Sequence, residues 1–444
     1  MRCRFAPSPT GLIHVGNLRS AVLNWVYANK HKGEFILRID DTDLERSKNE
    51  FKESIFNDLD WLGLKWDKTF NQSNRLDLYN KKIDFLKNSK RLYPCFETEE
   101  ELALKRKSLL SAGKPPIYDR SSLKLKQHEI DERIKNGEKP HWRFRLENKK
   151  ISWTDLIKGT VSFNAEHLSD PILIRKNGSL LYHLPSVIDD IEENITDIIR
   201  GEDHITNSAY HIQIFEALNS NIPNFAHHPF LTDEDGKGFG KRIGSLSINK
   251  LKNDGFENIS ILNYLVSIGS NKDIKPEKNI NELIKKFEIE SISNSAAIFN
   301  YNNLKALNTN TLKLYDYLDI SSRFNFNVNS TLKEKVWIFA KNNISFFNDV
   351  NNWIEVIDKT FKIEDFNIEN KIINAAIENL PEDPYDENTW GIWTDKIKEN
   401  TGFKGKELYM PLRQILTGKN HGPELKYLMP IINKEVILRK FGKI

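Results

Sequence analysis

Residues 4–17 read Arg-Phe-Ala-Pro-Ser-Pro-Thr-Gly-Leu-Ile-His-Val-Gly-Asn. Pro7 and Pro9 stiffen a turn, and Gly11 and Gly16 let backbone come close to a ligand. His14 stands just before a helix amino terminus, whose free amides and dipole attract phosphate, and its ring can donate to a phosphate oxygen. Arg4 can grip a carboxylate at two points. Farther on, Asp40, Asp41 and Asp43 crowd one short turn. Arg200 follows Ile198 and Ile199 and precedes Gly201, so a strand end can aim its guanidinium into a pocket. Residues 236–247 form a Gly-rich loop carrying Lys237, Lys241 and Arg242. Such a loop can close over a triphosphate and neutralise the charge of departing pyrophosphate. Each cluster has a bland counterpart: a capping histidine, a solvated acidic turn, a surface Arg200 paired with Glu202, a solvated basic loop.

This chemistry needs a strand–loop–helix frame, and the hydrophobic pattern supplies one. Cys3–Ala6 is strand-like, and Leu18, Ala21, Val22, Trp25 and Val26 repeat at helical spacing within 17–30. Gly33 stops that helix, and Phe35, Ile36, Leu37 and Ile39 form a second strand. Ser47, with Glu50 three residues on, predicts a capping box for a helix running to about Leu62. Phe51, Ile55, Phe56, Leu59 and Leu62 share one face of that helix. The order predicts a parallel sheet with ligands at its carboxyl edge. Residues 75–180 change character and look inserted: helical Glu97–Ser111 alternates with strand-like His141–Leu146 and Pro171–Arg175. Between Leu180 and Arg200 a strand-forming pattern returns, at Val187 and Ile188 and again at Ile195, Ile198 and Ile199, with a helix over 201–220. Beyond about 246 the pattern is helical, with a polar turn at Asn343–Asn352 and breaks at Gly402–Gly405 and Gly418–Pro423.

A chain of 444 residues suggests about two to four domains. Aromatic content of 11% is too high for a disordered chain, and a net charge of +3 neither requires nor forbids nucleic acid. Cys3 and Cys95 cannot build a disulfide scaffold or a four-thiolate zinc site. With no signal-peptide core and no apolar run of spanning length, a cytoplasmic protein without membrane contact is expected.

The string at 4–17, with Ile-Asp-Asp-Thr-Asp at 39–43, resembles the signature of class I aminoacyl-tRNA synthetases of the glutamyl and glutaminyl branch. Gly238, Phe239, Gly240, Lys241 and Arg242 stand where that family has its second signature, with glycine replacing the usual first lysine and the serine. Asp40 replaces the usual Glu, and Ser186 stands where some relatives have Asn. The resemblance implies an α/β class I synthetase catalytic domain of Rossmann type, with an inserted α+β acceptor-binding domain, followed by an all-α anticodon-binding region. It divides the chain into catalytic halves at 1–75 and 181–245, an insertion at 76–180, a helical connecting domain at 246–310 and an anticodon-binding domain at 311–444.

It also implies roles. ATP would lie on Pro7, Ser8, Pro9, Thr10, Gly11, His14, Gly16 and Asn17 and under Gly238–Arg242, with His14, Gly16, Lys241 and Arg242 catalytic. Arg4, Arg200 and the Tyr182 hydroxyl would hold the side-chain carboxylate of glutamate, with Ser8, Asp40 and Ser186 at its amine and carboxylate. Glutamyl members carry arginine at this position and glutaminyl members a small uncharged residue, since a buried carboxylate needs a cation and an amide does not. The implied reaction joins glutamate and ATP into glutamyl-adenylate, with Mg²⁺ bridging phosphates, and then transfers glutamate to the 3′ end of tRNA(Glu). Some bacterial members hold zinc through several cysteines in the insertion; with Cys95 alone there, no zinc is expected.

Residues 401–406, 411–413, 416–418 and 422–424 resemble the helical anticodon domain of bacterial glutamyl enzymes, where glutaminyl enzymes have β-barrels. Relatives confined to tRNA(Glu) have an arginine that reads the third anticodon base. The matching position lies near Asn343, and no arginine occurs from Thr331 to Thr360. That implies charging of tRNA(Gln) as well, unless Lys341 or another residue does the reading; a monomer is expected. The alternatives are a glutaminyl-tRNA synthetase and a catalytically weak tRNA-binding paralogue.

Overall fold

The computed structural model describes residues 1–238, 246–324, 330–358, 360–361 and 365–443. They form two compact units: 1–250 with 262–274 and 279–300, and 251–261 with 275–278 and 301–444.

The first unit opens with strand β1 (Arg2–Phe5), helix α1 (Val15–Lys30), strand β2 (Glu34–Ile39), helix α2 (Asn49–Leu62) and strand β3 (Lys68–Asn71). The three strands pair in parallel, with Arg4 opposite Ile36 and Leu37 opposite Thr69. Phe35 to Ile39 are buried without a break, as expected of a strand covered on both faces. Helix α2 departs from expectation at its start. Its N-cap is Lys48 and no side chain caps it, because the Ser47 backbone turns back to the Asp43 carbonyl and the helix begins one residue later.

Helix α3 (Leu76–Asn88) leads into β4 (Leu92–Cys95), α4 (Glu99–Ser111), α5 (Gln127–Lys135), β5 (His141–Phe144), β6 (Lys150–Asp155), β7 (Gly159–Asn164) and β8 (Ile172–Ile174). Strands β4, β5 and β8 make an antiparallel sheet of their own. Hairpin β6–β7, although within the stretch that looks inserted, hydrogen-bonds instead to a strand beyond it.

The segment after β8 is a correction to the strand expected at Val187 and Ile188: it forms helix α6 (His183–Glu192). Leu184, Val187, Ile188 and Ile191 follow helical spacing, and Pro185 sits in the first turn, where a missing amide costs nothing. Strand β9 (Asp197–Gly201), helix α7 (Ile205–Ala217), strand β10 (Asn224–His228) and the short β11 (Leu231–Thr232) follow. Strands β9 and β10 are parallel, with Ile198 opposite Phe225, and the Thr196 amide donates to the Arg2 carbonyl beside β1. The carboxyl ends of β1, β2, β9 and β10 therefore gather at one edge.

In the second unit the described residues form helices and turns, among them 330–340, 389–401 and 406–417. Trp337, Trp393, Leu412 and Ile415 are fully or almost fully buried at its core. Gly402 and Gly418 end two helices with φ near +80° and +67°, a conformation glycine adopts without strain. The turn expected over 343–352 stops at Asp349, and Val350 opens a helix.

Candidate active site

A cavity of about 660 Å³ lies at the shared strand edge of the first unit. The loop after β1 forms one wall. The Asp40 amide donates to the Pro7 carbonyl (3.0 Å), and the Lys48 amide to the Pro9 carbonyl (3.0 Å). These two bonds lock the first motif to the acidic turn. His14 is the N-cap of α1, and its Nδ1 accepts the Gly16 amide at 3.1 Å. Burial pushes the imidazole below its usual pKa, so the neutral ring carries its proton on Nε2 and can donate it. A Cβ at Gly16 would stand 3.0 Å from the His14 ring. Gly16 therefore makes room for the His14 ring.

A web of buried charge backs the opposite wall. Arg38, from β2, grips Asp40 with Nε (2.6 Å) and Nη2 (3.1 Å), donates through Nη1 to Asp190 (3.0 Å) and through Nη2 to the Ser186 hydroxyl (3.1 Å). Arg4 donates through Nε to the same Asp190 (3.1 Å). Asp40 feels burial most, which raises its pKa, while Arg38 pulls it back down. Asp41 accepts from Asn71 and Ser73, whereas Asp43 pairs with Arg46 on the surface, a solvated turn.

Arg200 differs from Arg4 and Arg38. It projects from β9, is 6% exposed, and meets no carboxylate within ion-pair distance among the described residues. Its Nη1 donates to the Tyr182 hydroxyl (3.0 Å) and its Nη2 to the Ser208 hydroxyl (2.6 Å), while Nε is buried without an acceptor. The imidazoles around it are no substitute for an anion. His183 and His204 are pushed down to about 4, first by burial and then by Arg200 itself. A cation so placed selects an anionic ligand group.

The residues flanking the basic loop are tied to the same place. Gly238 lines the cavity, and beyond the loop the Leu246 carbonyl accepts the Val15 amide at 3.3 Å. Phe239, Gly240, Lys241 and Arg242 lie outside the described residues.

A family model described as tRNA synthetases class I (E and Q), catalytic domain, matches residues 1–306, and one described as anticodon binding domain matches 326–443. The chain belongs to the class I tRNA synthetases (E and Q). It is similar to glutamate–tRNA ligase 1 of Rickettsia bellii, 46% identical over 438 residues that cover 98% of each chain. The corresponding ligase of Rickettsia felis is 45% identical over 98% of each. A crystal structure of a glutamate tRNA ligase from Elizabethkingia meningosepticum, in complex with its amino acid, superposes with a TM-score of 0.84 at 26% identity. It covers 100% of this chain and 98% of that one. No described helix of this synthetase is long and apolar enough to cross a membrane.

Of the residues expected to bind ATP and glutamate, Arg4, Pro7, Ser8, Thr10, Gly11, His14, Gly16, Asn17, Asp40, Tyr182, Arg200 and Gly238 line the cavity. Pro9 and Ser186 do not, and Ser186 acts behind the wall on Arg38. Sequence reasoning missed Asn24, Arg38, Asp190, Ser208 and His228. Asn24 sits one helical turn from Ser20 on α1, and its Oδ1 is buried without a donor.

Cys95 is not alone in space, contrary to its reading as a lone thiol. Strand pairing sets it opposite His141, Glu97 is two residues along the chain, and their ligand atoms lie within 4.8 Å of one another. Three donors fall short of a closed tetrahedral zinc site. Glu97 is already engaged by the hydroxyls of Tyr118 (2.7 Å), Ser121 (2.9 Å) and Ser122 (3.0 Å). Burial also pushes the Cys95 thiol up to about 11, which keeps it protonated.

Proposed function

We propose that the protein is a glutamate–tRNA ligase whose cavity at the strand edge activates glutamate with ATP and passes it to tRNA(Glu). The observation that carries this reading is Arg200: a buried guanidinium with two hydroxyl partners and no protein carboxylate. A glutamate side chain supplies the missing anion. Glutamine would leave the charge unmatched, at a cost of about 3–5 kcal/mol. The names of the similar ligases support the same substrate.

Chain residues then have definite tasks. Arg4, Arg200 and Tyr182 orient the side chain, while Arg38 holds Asp40 at the amino-acid end. His14 presents Nε2–H to phosphate, and the first amides of α1 add partial positive charge. Lys241 and Arg242 would neutralise pyrophosphate as it leaves, and ATP would enter as its Mg²⁺ complex, the ion held by phosphate oxygens. Pyrophosphate exchange in the presence of tRNA tests the whole: it should require glutamate and be unsupported by glutamine, and exchange with glutamine but not glutamate would overturn the reading.

The four-part division at 75, 180, 245 and 310 belongs to this proposal, as do the monomeric state and the cytoplasmic location. Acceptance of tRNA(Gln) does too. Lys341, one candidate reader of the third anticodon base beside any other residue of this stretch, gives one of its three donors to the Tyr315 carbonyl at 3.3 Å.

A further inference from the structure

Arg200 can discriminate between a carboxylate and an amide only if its fork is held in one orientation. Tyr182 secures one arm but is 37% exposed and lies at the cavity mouth. The other arm leads inward along a continuous line of buried groups from four elements. Arg200 Nη2 donates to Ser208 Oγ on α7 at 2.6 Å. Ser208 Oγ lies 2.8 Å from His227 Nε2 on β10, and His227 Nδ1 meets the Asp155 carboxylate at the end of β6. Ser208 and His227 are wholly buried, and Asp155 is 2% exposed.

The proton positions along this line follow from its far end. Asp155 accepts the amides of Ile157 (3.0 Å), Lys158 (2.9 Å) and His227 (3.1 Å) through Oδ1. Burial pushes its pKa up, but His227 and these amides outweigh that and hold it ionised. An ionised Asp155 requires a proton on His227 Nδ1. Burial keeps the ring neutral despite Asp155, so Nε2 is bare and must accept. The Ser208 proton has two acceptors, His227 Nε2 at 2.8 Å and the His204 carbonyl at 3.2 Å; the shorter contact takes it, and the Ser208 oxygen is left to receive Arg200. With Asp155 ionised and His227 neutral, the line runs from Arg200 to Asp155 with each donor facing an acceptor.

We propose that Asp155, His227 and Ser208 are positioning residues that lock the Arg200 guanidinium in its carboxylate-binding orientation and so set the preference for glutamate over glutamine. The inference rests on the glutamate-pocket reading. None of the three lines the cavity. Their effect passes through Arg200, which keeps Nε without an acceptor while Nη1 and Nη2 are occupied. Such an arrangement is pre-organised for the incoming anion rather than rebuilt around it.

Three variants test this in the full-length enzyme, with initial rates of pyrophosphate exchange in the presence of tRNA. Ser208→Ala removes a hydrogen bond to a charged group and should raise KM for glutamate about tenfold or more, with KM for ATP unchanged. Ser208→Thr keeps the hydroxyl and should restore KM to within about threefold of the unaltered enzyme. Asp155→Asn preserves Oδ1 for the three amides, so the fold is kept, but turns an amide donor toward His227. The ring must then move its proton to Nε2 and donate to Ser208, whose own proton turns to the His204 carbonyl, so the oxygen that receives Arg200 is shared between two donors. A higher KM for glutamate and a smaller glutamate-to-glutamine ratio are expected, without change in ATP binding. Equal effects on ATP and glutamate, or a glutamate KM unmoved in Ser208→Ala and Asp155→Asn while Arg200→Ser raises it, would overturn the inference and leave the pocket standing. Should Arg200→Ser itself leave glutamate use intact, the pocket reading and this inference fall together.

Discussion

Three buried arginines converge on one cavity, and their partners separate their tasks. Arg38 and Arg4 share Asp190, and Arg38 also holds Asp40, so their charge is compensated within the protein. Arg200 has two hydroxyls and the His211 imidazole, and none of these carries a negative charge. Replacing it, as in Arg200→Ser, should lower kcat/KM for glutamate by about a hundredfold, near 2.7 kcal/mol, with glutamine affected less. Steady-state exchange kinetics with both amino acids checks this, and equal losses would remove Arg200 from the pocket. Gly16→Ala should displace the His14 ring, whose Cε1 would lie 3.0 Å from the new Cβ. Adenylate formation should fall roughly tenfold, as for a misplaced phosphate donor, with glutamate affinity steady. A loss of glutamate affinity alone would reject that account. Arg200 and His14 are legible in the sequence because each sits beside the strand end or helix start that aims it. Arg38, Ser208, His227 and Asp155 are not, because their meaning lies in partners that the chain brings together only on folding; Arg38 and Ser186 are 148 residues apart.

Elements read well where one period dominates and poorly where two compete. The frame from β1 to α2 follows its hydrophobic pattern closely. Helix α6 does not, because Val187 and Ile188 are adjacent β-branched residues in a short apolar run, which both a buried strand and a helix can accommodate. The helical outcome matters: it turns Ser186, Asp189 and Asp190 toward β2, where Arg38 collects them. Pairing of β4 with β5 likewise brought His141 to Cys95 across a gap that no spacing rule could bridge. The three-donor cluster there should stay metal-poor, with elemental analysis of purified enzyme finding well under one zinc per chain. A stoichiometric ion would contradict this. In the basic loop, Lys241→Ala should slow adenylate formation and leave glutamate and tRNA affinity nearly intact, because its charge is needed as pyrophosphate departs. Lys237 is paired with Asp235 on the surface, and Lys237→Ala should matter much less. The reverse ranking in single-turnover assays would mean that the two lysines have exchanged roles.

At the scale of the molecule, buried neutral histidines tie stability to pH. His141 and His183 titrate near 4 in the folded state against an ordinary value of 6.5, chiefly because of burial. As pH falls, the unfolded chain takes up these protons first, so stability present above 6.5 is lost progressively between about 6.5 and about 4. The thermal midpoint should drop by on the order of 5 °C between about pH 7 and about pH 5, and a rise would contradict the neutral histidines. Transfer RNA choice also belongs to this scale. The absence of arginine between Thr331 and Thr360 predicts that tRNA(Gln) receives glutamate too, and a preference for tRNA(Glu) above about a hundredfold would reject that. The central claim, that an unpaired buried cation makes this synthetase a glutamate enzyme, is tested most directly by charging. Purified enzyme, ATP and tRNA(Glu) are supplied with labelled glutamate or labelled glutamine, and the acid-precipitable product is counted. The account predicts label on tRNA from glutamate and essentially none from glutamine. Preferential charging with glutamine would contradict it.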